Sequence, residues 1–172
     1  MNKALFTSTS SEWETPDDLF MALDALFGFT LDAAATKDNA KCARFFTKED
    51  DALTRYWDDD GGAVWLNPPY GRDIDEWVAK ARFEAETGGV TAVVVLLPAC
   101  TDTKWFDVVD DHAAWLPLRG RLKFKGAEAS APFPSLIAIF GEVTAAQIQA
   151  LERRFNRTVR LPKAAASRDQ FR

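Results

Sequence analysis

Ala63-Val64-Trp65-Leu66-Asn67-Pro68-Pro69-Tyr70 is the stretch on which the fold turns. Its first four residues are apolar, β-branched or aromatic, and read as a buried strand. The strand must end at Asn67, because two consecutive prolines fix φ and cannot donate to a ladder. An amide oxygen and a proline carbonyl are then left as acceptors beside an aromatic ring. Such a pair suits an exocyclic amine that stays neutral and loses a proton only as it attacks an electrophile, as in amine methylation. The plainer alternative is a proline-rich turn that merely closes a strand.

Outward from this point, helical and strand patterns alternate. Thr15 reads as the cap of a helix with Pro16 at its first position, Asp17 and Asp18 in its first turn, and Leu19, Phe20, Leu23, Leu26 and Phe27 on one face. Phe29-Thr30-Leu31 reads as a short strand ending at Asp32. Ile74, Trp77, Val78, Ala81 and Ala85 mark an amphipathic helix stopped by Gly88-Gly89. Residues 90–97 form an apolar run of the kind a strand covered on both faces requires. Trp105, Phe106 and Val109 predict a helix, residues 135–140 a strand, and Thr144 with Gln147 a capping box ahead of Ile148, Leu151 and Phe155. The class is α/β, a mostly parallel sheet with helices on both faces. Ligands of such sheets bind beyond the carboxyl ends of the strands, near a switch in strand order, where Asp32 and Asn67 both fall.

With 172 residues, 47% of them hydrophobic, the chain can bury one substantial core, which predicts a single domain over residues 1–172. Cys42 and Cys100 lie far apart, and the single His112 cannot complete a usual zinc set, so neither a disulfide framework nor a metal site is expected. No apolar run approaches the ~18 residues of a membrane span, and a soluble protein of a reducing cytoplasm is expected. The net charge of −5 is awkward for a partner such as DNA, unless the cations are clustered. Arg119, Arg121, Lys123 and Lys125 alternate with Leu118, Gly120, Leu122 and Phe124, which as a strand would set four cations on one face; the alternative is an ordinary solvated strand face. Arg153, Arg154, Arg157, Arg160, Lys163, Arg168 and Arg172 read as a solvated, basic terminal segment.

Taken in order, Trp13-Glu14-Thr15-Pro16, Leu31-Asp32-Ala33-Ala34-Ala35, Asp51-Ala52-Leu53 with Trp57, Asn67-Pro68-Pro69-Tyr70, Leu97-Pro98-Ala99 with Thr101-Asp102-Thr103 and Trp105-Phe106, Gly120-Arg121-Leu122-Lys123-Phe124, and Ala131-Pro132-Phe133-Pro134-Ser135 resemble the compact phage-type DNA N6-adenine methyltransferases. The resemblance covers roughly residues 13–141. It implies a Rossmann-like methyltransferase fold, S-adenosylmethionine as cofactor, DNA as partner, and a phage- or prophage-encoded enzyme working in a bacterial cytoplasm on DNA modification or restriction-modification.

It also implies roles. Asn67, Pro68 and Tyr70 match the catalytic segment, with Asn67 Oδ1 and the Pro68 carbonyl accepting from the adenine N6 amine and Tyr70 stacking on a flipped base. Trp13, Thr15, Pro16, Asp32, Ala33, Ala34 and also Asn67 match the cofactor pocket, Asp32 offering an acceptor for its ammonium group and Thr15 a hydrogen bond at its methionine end. The alternatives for the last two are a loop aspartate capping a helix and the plain N-cap. The usual Gly-x-Gly turn is missing after Leu31, and little room is left before Asp50-Asp51 for a full helix and a second strand; either acid is a candidate for the adenine amine, or a surface aspartate beside Glu49. Arg119, Arg121 and Lys123 are candidate phosphate contacts. Phe124 and Phe133 are candidates for the second face of the base, against core packing.

Nothing after Gly141 is long enough for a separate target-recognition domain, so specificity should be short or relaxed, read from residues 71–75 or 126–134. Two rivals are methylation of a protein glutamine amide, which the same tetrapeptide suits, and a binding module without turnover. The basic segment argues against the first and Asn67 against the second.

Overall fold

The computed structural model describes residues 13–57, 61–87 and 89–163. Its elements run α1 (Asp17–Phe27), β1 (Phe29–Asp32), β2 (Arg44–Phe45), β3 (Ala63–Leu66), α2 (Ile74–Thr87), β4 (Ala92–Pro98), α3 (Lys104–His112), β5 (Ala113–Pro117), β6 (Ser135–Gly141) and α4 (Ala145–Phe155). A single 3-10 turn, Lys48–Asp50, follows β2. The six strands form one sheet in the order β2-β1-β3-β4-β6-β5.

β1 pairs in parallel with both β2 and β3, and β3 in parallel with β4. β6 runs antiparallel to its neighbours β4 and β5, so the sheet is mixed, and the expectation of a mostly parallel sheet is met in part. The cause lies in the connection before β6. It stays at the edge where β5 ends, held by Leu118 N–H to the Ser135 carbonyl (2.9 Å) and Ala99 N–H to the Pro134 carbonyl (2.8 Å). A chain that re-enters the sheet at the edge it left must run back along it.

All seven residues of β4 are buried, which requires cover on both faces. α2 and α3 pack on each other and on β4, β5 and β6, while α1 and α4 form a second packed pair. Phe20 of α1 reaches the sheet through Trp65 of β3, edge to face at 5.8 Å. Trp57, fully buried, donates its indole N–H to the Ala52 carbonyl at 2.8 Å and its main-chain N–H to Glu84 Oε2 at 3.0 Å, tying the segment before β3 to α2.

α1 begins one residue later than the sequence predicts. Pro16 is the N-cap, and no side chain caps the helix. The positive end of the helix is met by Asp17 and Asp18 in its first turn, which leaves the Thr15 hydroxyl to another partner. The α4 capping box is formed as predicted, Thr144 Oγ1 accepting from Gln147 N–H at 3.2 Å and Gln147 Oε1 from Thr144 N–H at 2.8 Å. The basic segment after α4 is no loose tail: Arg160 exchanges main-chain hydrogen bonds with Trp115 of β5 (2.7 and 2.8 Å), and Lys163 pairs with Asp110 at 2.6 Å. Arg168 and Arg172 lie outside the described residues.

Candidate active site

The chain passes from β1 outward to β2 and then returns to β3 on the other side of β1, so strand order reverses between β1 and β3. This is where an open sheet leaves a crevice at the carboxyl ends of its strands. Asp32 ends β1 and Asn67 follows β3 directly. The ladder runs one step past Asp32, with Ala33 N–H bound to the Trp65 carbonyl at 2.9 Å, and stops where Pro68 and Pro69 have no N–H to offer.

Across this edge lies residues 13–16, a strap brought up by the start of α1. Asn67 Nδ2 donates to the Trp13 carbonyl and to Thr15 Oγ1, the latter at 3.1 Å. A carbonyl can only accept, so the amide nitrogen faces the strap and the amide oxygen faces away. That oxygen, Asn67 Oδ1, is buried and has no hydrogen-bond partner. Leaving a buried acceptor unmet costs on the order of 1–3 kcal/mol, and an unmet one calls for an explanation.

The strap is held from both sides. Lys125 N–H donates to the Glu14 carbonyl at 2.9 Å. Lys125 Nζ lies 3.3 Å from Glu14 and 3.2 Å from Asp17, and Lys41 Nζ meets the same two carboxylates. Hydrogen bonds from Lys41 and Lys125 hold the Asp17 carboxyl below its ordinary range, and Asp17 and Glu14 raise the Lys125 ammonium. A depression of about 300 Å³ adjoins these residues and is walled in part by Glu14, Asp17, Phe20, Asn39, Lys41 and Lys125; Asp32, Asn67 and Tyr70 are not in its wall.

The predicted site residues divide into those the fold brings together and those it spends elsewhere. Trp13, Tyr70, Phe124 and Phe133 form one ring cluster beside Asn67, with centroids 5.0 Å apart for Trp13 and Phe124, 5.4 Å for Trp13 and Phe133, 5.6 Å for Tyr70 and Phe133, and 6.3 Å for Tyr70 and Phe124. Tyr70 is only 4% exposed, and its hydroxyl donates to the Leu96 carbonyl at 3.2 Å. Burial pushes its phenol well above the ordinary range. Its ring is therefore covered by Phe124 and Phe133 here, and those two rings are packed as core.

Asp32 is 3% exposed; its oxygens accept from Ala34 N–H at 3.4 Å and Lys41 N–H at 3.0 Å, and burial raises its carboxyl despite both bonds. Its loop role is thus formed, as an anchor for the turn of Ala33 and Ala34. Asp50 lies beyond the carboxyl end of β2, but its Oδ2 is taken by the N–H and hydroxyl of Thr47, both at 2.9 Å, which hold its carboxyl low. Asp51 is exposed, with φ at +51°.

The segment 118–125 is no strand. Gly120 takes φ of +75° in a left-handed turn, and no strand runs through these residues. The alternation nonetheless survives as burial: Arg119, Arg121, Lys123 and Lys125 are exposed, while Leu118 and Phe124 are buried and Leu122 half-buried. Lys125, spent on Glu14 and Asp17, drops out of the predicted set of four. The reading of the sequence missed Glu14, Lys41 and the Leu96 carbonyl. Lys41 lies in a turn without periodicity, and a main-chain acceptor leaves no mark on residue identity.

Among the described residues no group of three or more His, Cys, Asp or Glu is placed to hold a metal ion, and no helix is long and apolar enough to cross a membrane. Compared with known proteins, the chain is 38% identical over 103 residues to a DNA N-6-adenine-methyltransferase of Escherichia phage T1, covering 59% of this chain and 42% of the relative. It is 36% identical over 98 residues to a DNA N-6-adenine-methyltransferase of Haemophilus phage HP1, covering 56% of this chain and 54% of the relative. The chain thus spans about half the length of these curated relatives. The family described as DNA N-6-adenine-methyltransferase (Dam) matches residues 3–165, nearly the whole sequence, and together with the ordered segments around Asn67 this match means that the chain belongs to that family.

Proposed function

We propose that this protein transfers a methyl group from S-adenosylmethionine to N6 of adenine in DNA. The observation that carries the reading is Asn67 Oδ1, a buried acceptor with no partner at the carboxyl end of β3. The adenine N6 amine offers two N–H groups, and Asn67 Oδ1 with the neighbouring Pro68 carbonyl supplies two acceptors. Drawing on both N–H bonds raises electron density on the nitrogen and aims its lone pair, so catalysis rests on position and fixed dipoles. When bound, S-adenosylmethionine would supply an electrophilic sulfonium methyl group for N6, its sulfur leaving as a neutral thioether and the proton displaced from N6 being released to solvent.

The donor set fits this cofactor. A buried carboxylate, Asp32, ends β1 at the strand-order switch and keeps lone pairs for an ammonium group while its N–H bonds shape the Ala33-Ala34 turn. Trp13, Thr15 and Pro16 close the crevice from above. A stacked and paired adenine cannot reach Asn67, so the base must be flipped. Entry then requires the rings of Trp13, Tyr70, Phe124 and Phe133 to part, after which Tyr70 stacks on the base. Of the four cations the sequence offered there, Arg119, Arg121 and Lys123 remain exposed to meet phosphates. The reaction belongs to a bacterial host cytoplasm, with residues 1–172 acting as one methyltransferase domain.

The deciding experiment is transfer from methyl-labelled S-adenosylmethionine to unmethylated duplex DNA, followed by nucleoside analysis. Label is expected in N6-methyladenine, with Asn67→Ala lowering turnover on the order of 10²-fold or more while donor affinity holds. Label on a protein glutamine, or donor binding without any transfer, would refute the reading.

A further inference from the structure

We infer that Thr15 is a positioning residue for the transfer: the Trp13 carbonyl selects the orientation of the Asn67 amide, and the Thr15 hydroxyl, by accepting the second amide N–H, holds it there with Oδ1 aimed at the substrate amine. The inference rests on the methyltransferase reading, which it deepens.

The terminal torsion of asparagine is broad and roughly two-fold, so its own rotamer preference does not decide which of N and O points where. The strap decides it. Asn67 Nδ2 has two N–H groups, and both are used, one on the Trp13 carbonyl and one on Thr15 Oγ1 at 3.1 Å. Turning the amide by half a revolution would press Oδ1 against the Trp13 carbonyl, strip that carbonyl of its donor, and force the Thr15 hydroxyl to turn from acceptor to donor. Thr15 is free for this duty, because the helix it precedes takes no side-chain cap. It is also 3% exposed, so water does not compete for its oxygen. Residues 13–16 are themselves pinned by Lys125 N–H on the Glu14 carbonyl and by the ion pairs of Glu14 with Lys41 and Lys125. Thr15 therefore acts on the amine through Asn67 and touches neither methyl nor base.

Thr15→Val keeps the shape and removes the acceptor, whereas Thr15→Ser keeps the oxygen. We expect Thr15→Val to lower kcat on the order of 10-fold with KM for S-adenosylmethionine unchanged, and Thr15→Ser to restore most of it. A second readout is independent of turnover: exchange of the Asn67 side-chain amide protons by NMR, with the exposed Asn156 as internal reference. Those protons should exchange at least ~10-fold more slowly than those of Asn156 in the wild type, and lose much of that protection in Thr15→Val. Thr15→Ala, which also lacks the oxygen, is read against Thr15→Ser in the same way should the valine variant not fold. A raised donor KM with kcat intact would overturn the inference by making Thr15 a cofactor contact. Unprotected Asn67 amide protons in the wild type would overturn it too, as would a serine variant no better than valine. Absence of transfer by the wild type, with Asn67 protected and Thr15-dependent, would instead remove the methyltransferase reading alone.

Discussion

Replacing Asn67 by aspartate changes one nitrogen to oxygen, and the structure makes that exchange costly. Both donor contacts of Asn67 to the strap disappear. The Thr15 hydroxyl can turn to donate to the new carboxylate, but the Trp13 carbonyl cannot, and it is left facing a negative oxygen. One hydrogen bond lost and one buried acceptor stranded, at about 1 and 1–3 kcal/mol, give a deficit of about 2–4 kcal/mol at neutral pH. For a chain of this size each 1 kcal/mol moves Tm by about 2–4 °C, so the melt should fall by about 5–15 °C. The deficit should also depend on pH. The facing Trp13 carbonyl and partial burial raise the introduced carboxyl above its unfolded value, so its protonation favours the fold. The gap to wild type is then widest above that raised pKa and narrows as pH falls toward ~4, where the protonated acid donates to the Trp13 carbonyl. Urea titrations of both proteins at pH 7 and pH 5 measure the gap, titrations common to both cancelling. A deficit below about 1 kcal/mol at pH 7, or one that does not shrink on acidification, would show that the Asn67 amide does not hold the strap.

Tyr70→Phe should cost only about 1 kcal/mol, the value of the bond to the Leu96 carbonyl, whereas Tyr70→Ala opens the four-ring cluster and should cost about 3–5 kcal/mol by chemical denaturation; an alanine variant as stable as wild type would mean that the ring is not core. Replacing Arg121 and Lys123 together by Gln should make the slope of log affinity against log salt on duplex DNA shallower by about 1.8, at about 0.9 per phosphate, and an unchanged slope would move the DNA surface elsewhere. The Asp17 carboxyl should titrate below the ordinary carboxylate range by carbon NMR and rise in Lys41→Met. Since that carboxyl is lowered in the fold, what it adds to stability is present above its unfolded pKa and is lost as pH falls through the folded one.

The strands that the sequence displays are those with an apolar run and a chemical stop, such as β3 before two prolines and β4 with every position buried. β2 is two residues long and β5 follows α3 with no turn residue between His112 and Ala113, so neither offers a boundary to read. In 118–125 the alternation of charge and apolar residue correctly predicts which side faces water, while Gly120 at positive φ defeats the strand that alternation implies. Thr15 shows how a local rule loses to a distant partner. Its place before Pro16 reads as an N-cap, but Asn67, 52 residues away, takes the oxygen. For Asp50 a local rule is at work as well, since the capping box with Thr47 uses one oxygen of the carboxylate that the resemblance offered to a cofactor.

Under the proposed methyl transfer, the unmet oxygen of Asn67 would join stability to chemistry in this fold. A domain of this kind is stable by only ~5–15 kcal/mol, so an orphan acceptor worth about 1–3 kcal/mol is a large fraction to leave unclaimed. Its neighbours on the strap are matched: the Glu14 carbonyl by Lys125, the Glu14 carboxylate by two lysines, the Trp13 carbonyl and the Thr15 oxygen by Asn67 itself. The exception sits beside four packed rings, where a low local dielectric strengthens any hydrogen bond that is eventually made. An acceptor satisfied from within would steady the protein and leave the amine nothing to be drawn toward. Under the proposed methyl transfer, stability and turnover would therefore pull in opposite directions at this one atom, and the strap that fixes the amide would keep Oδ1 available.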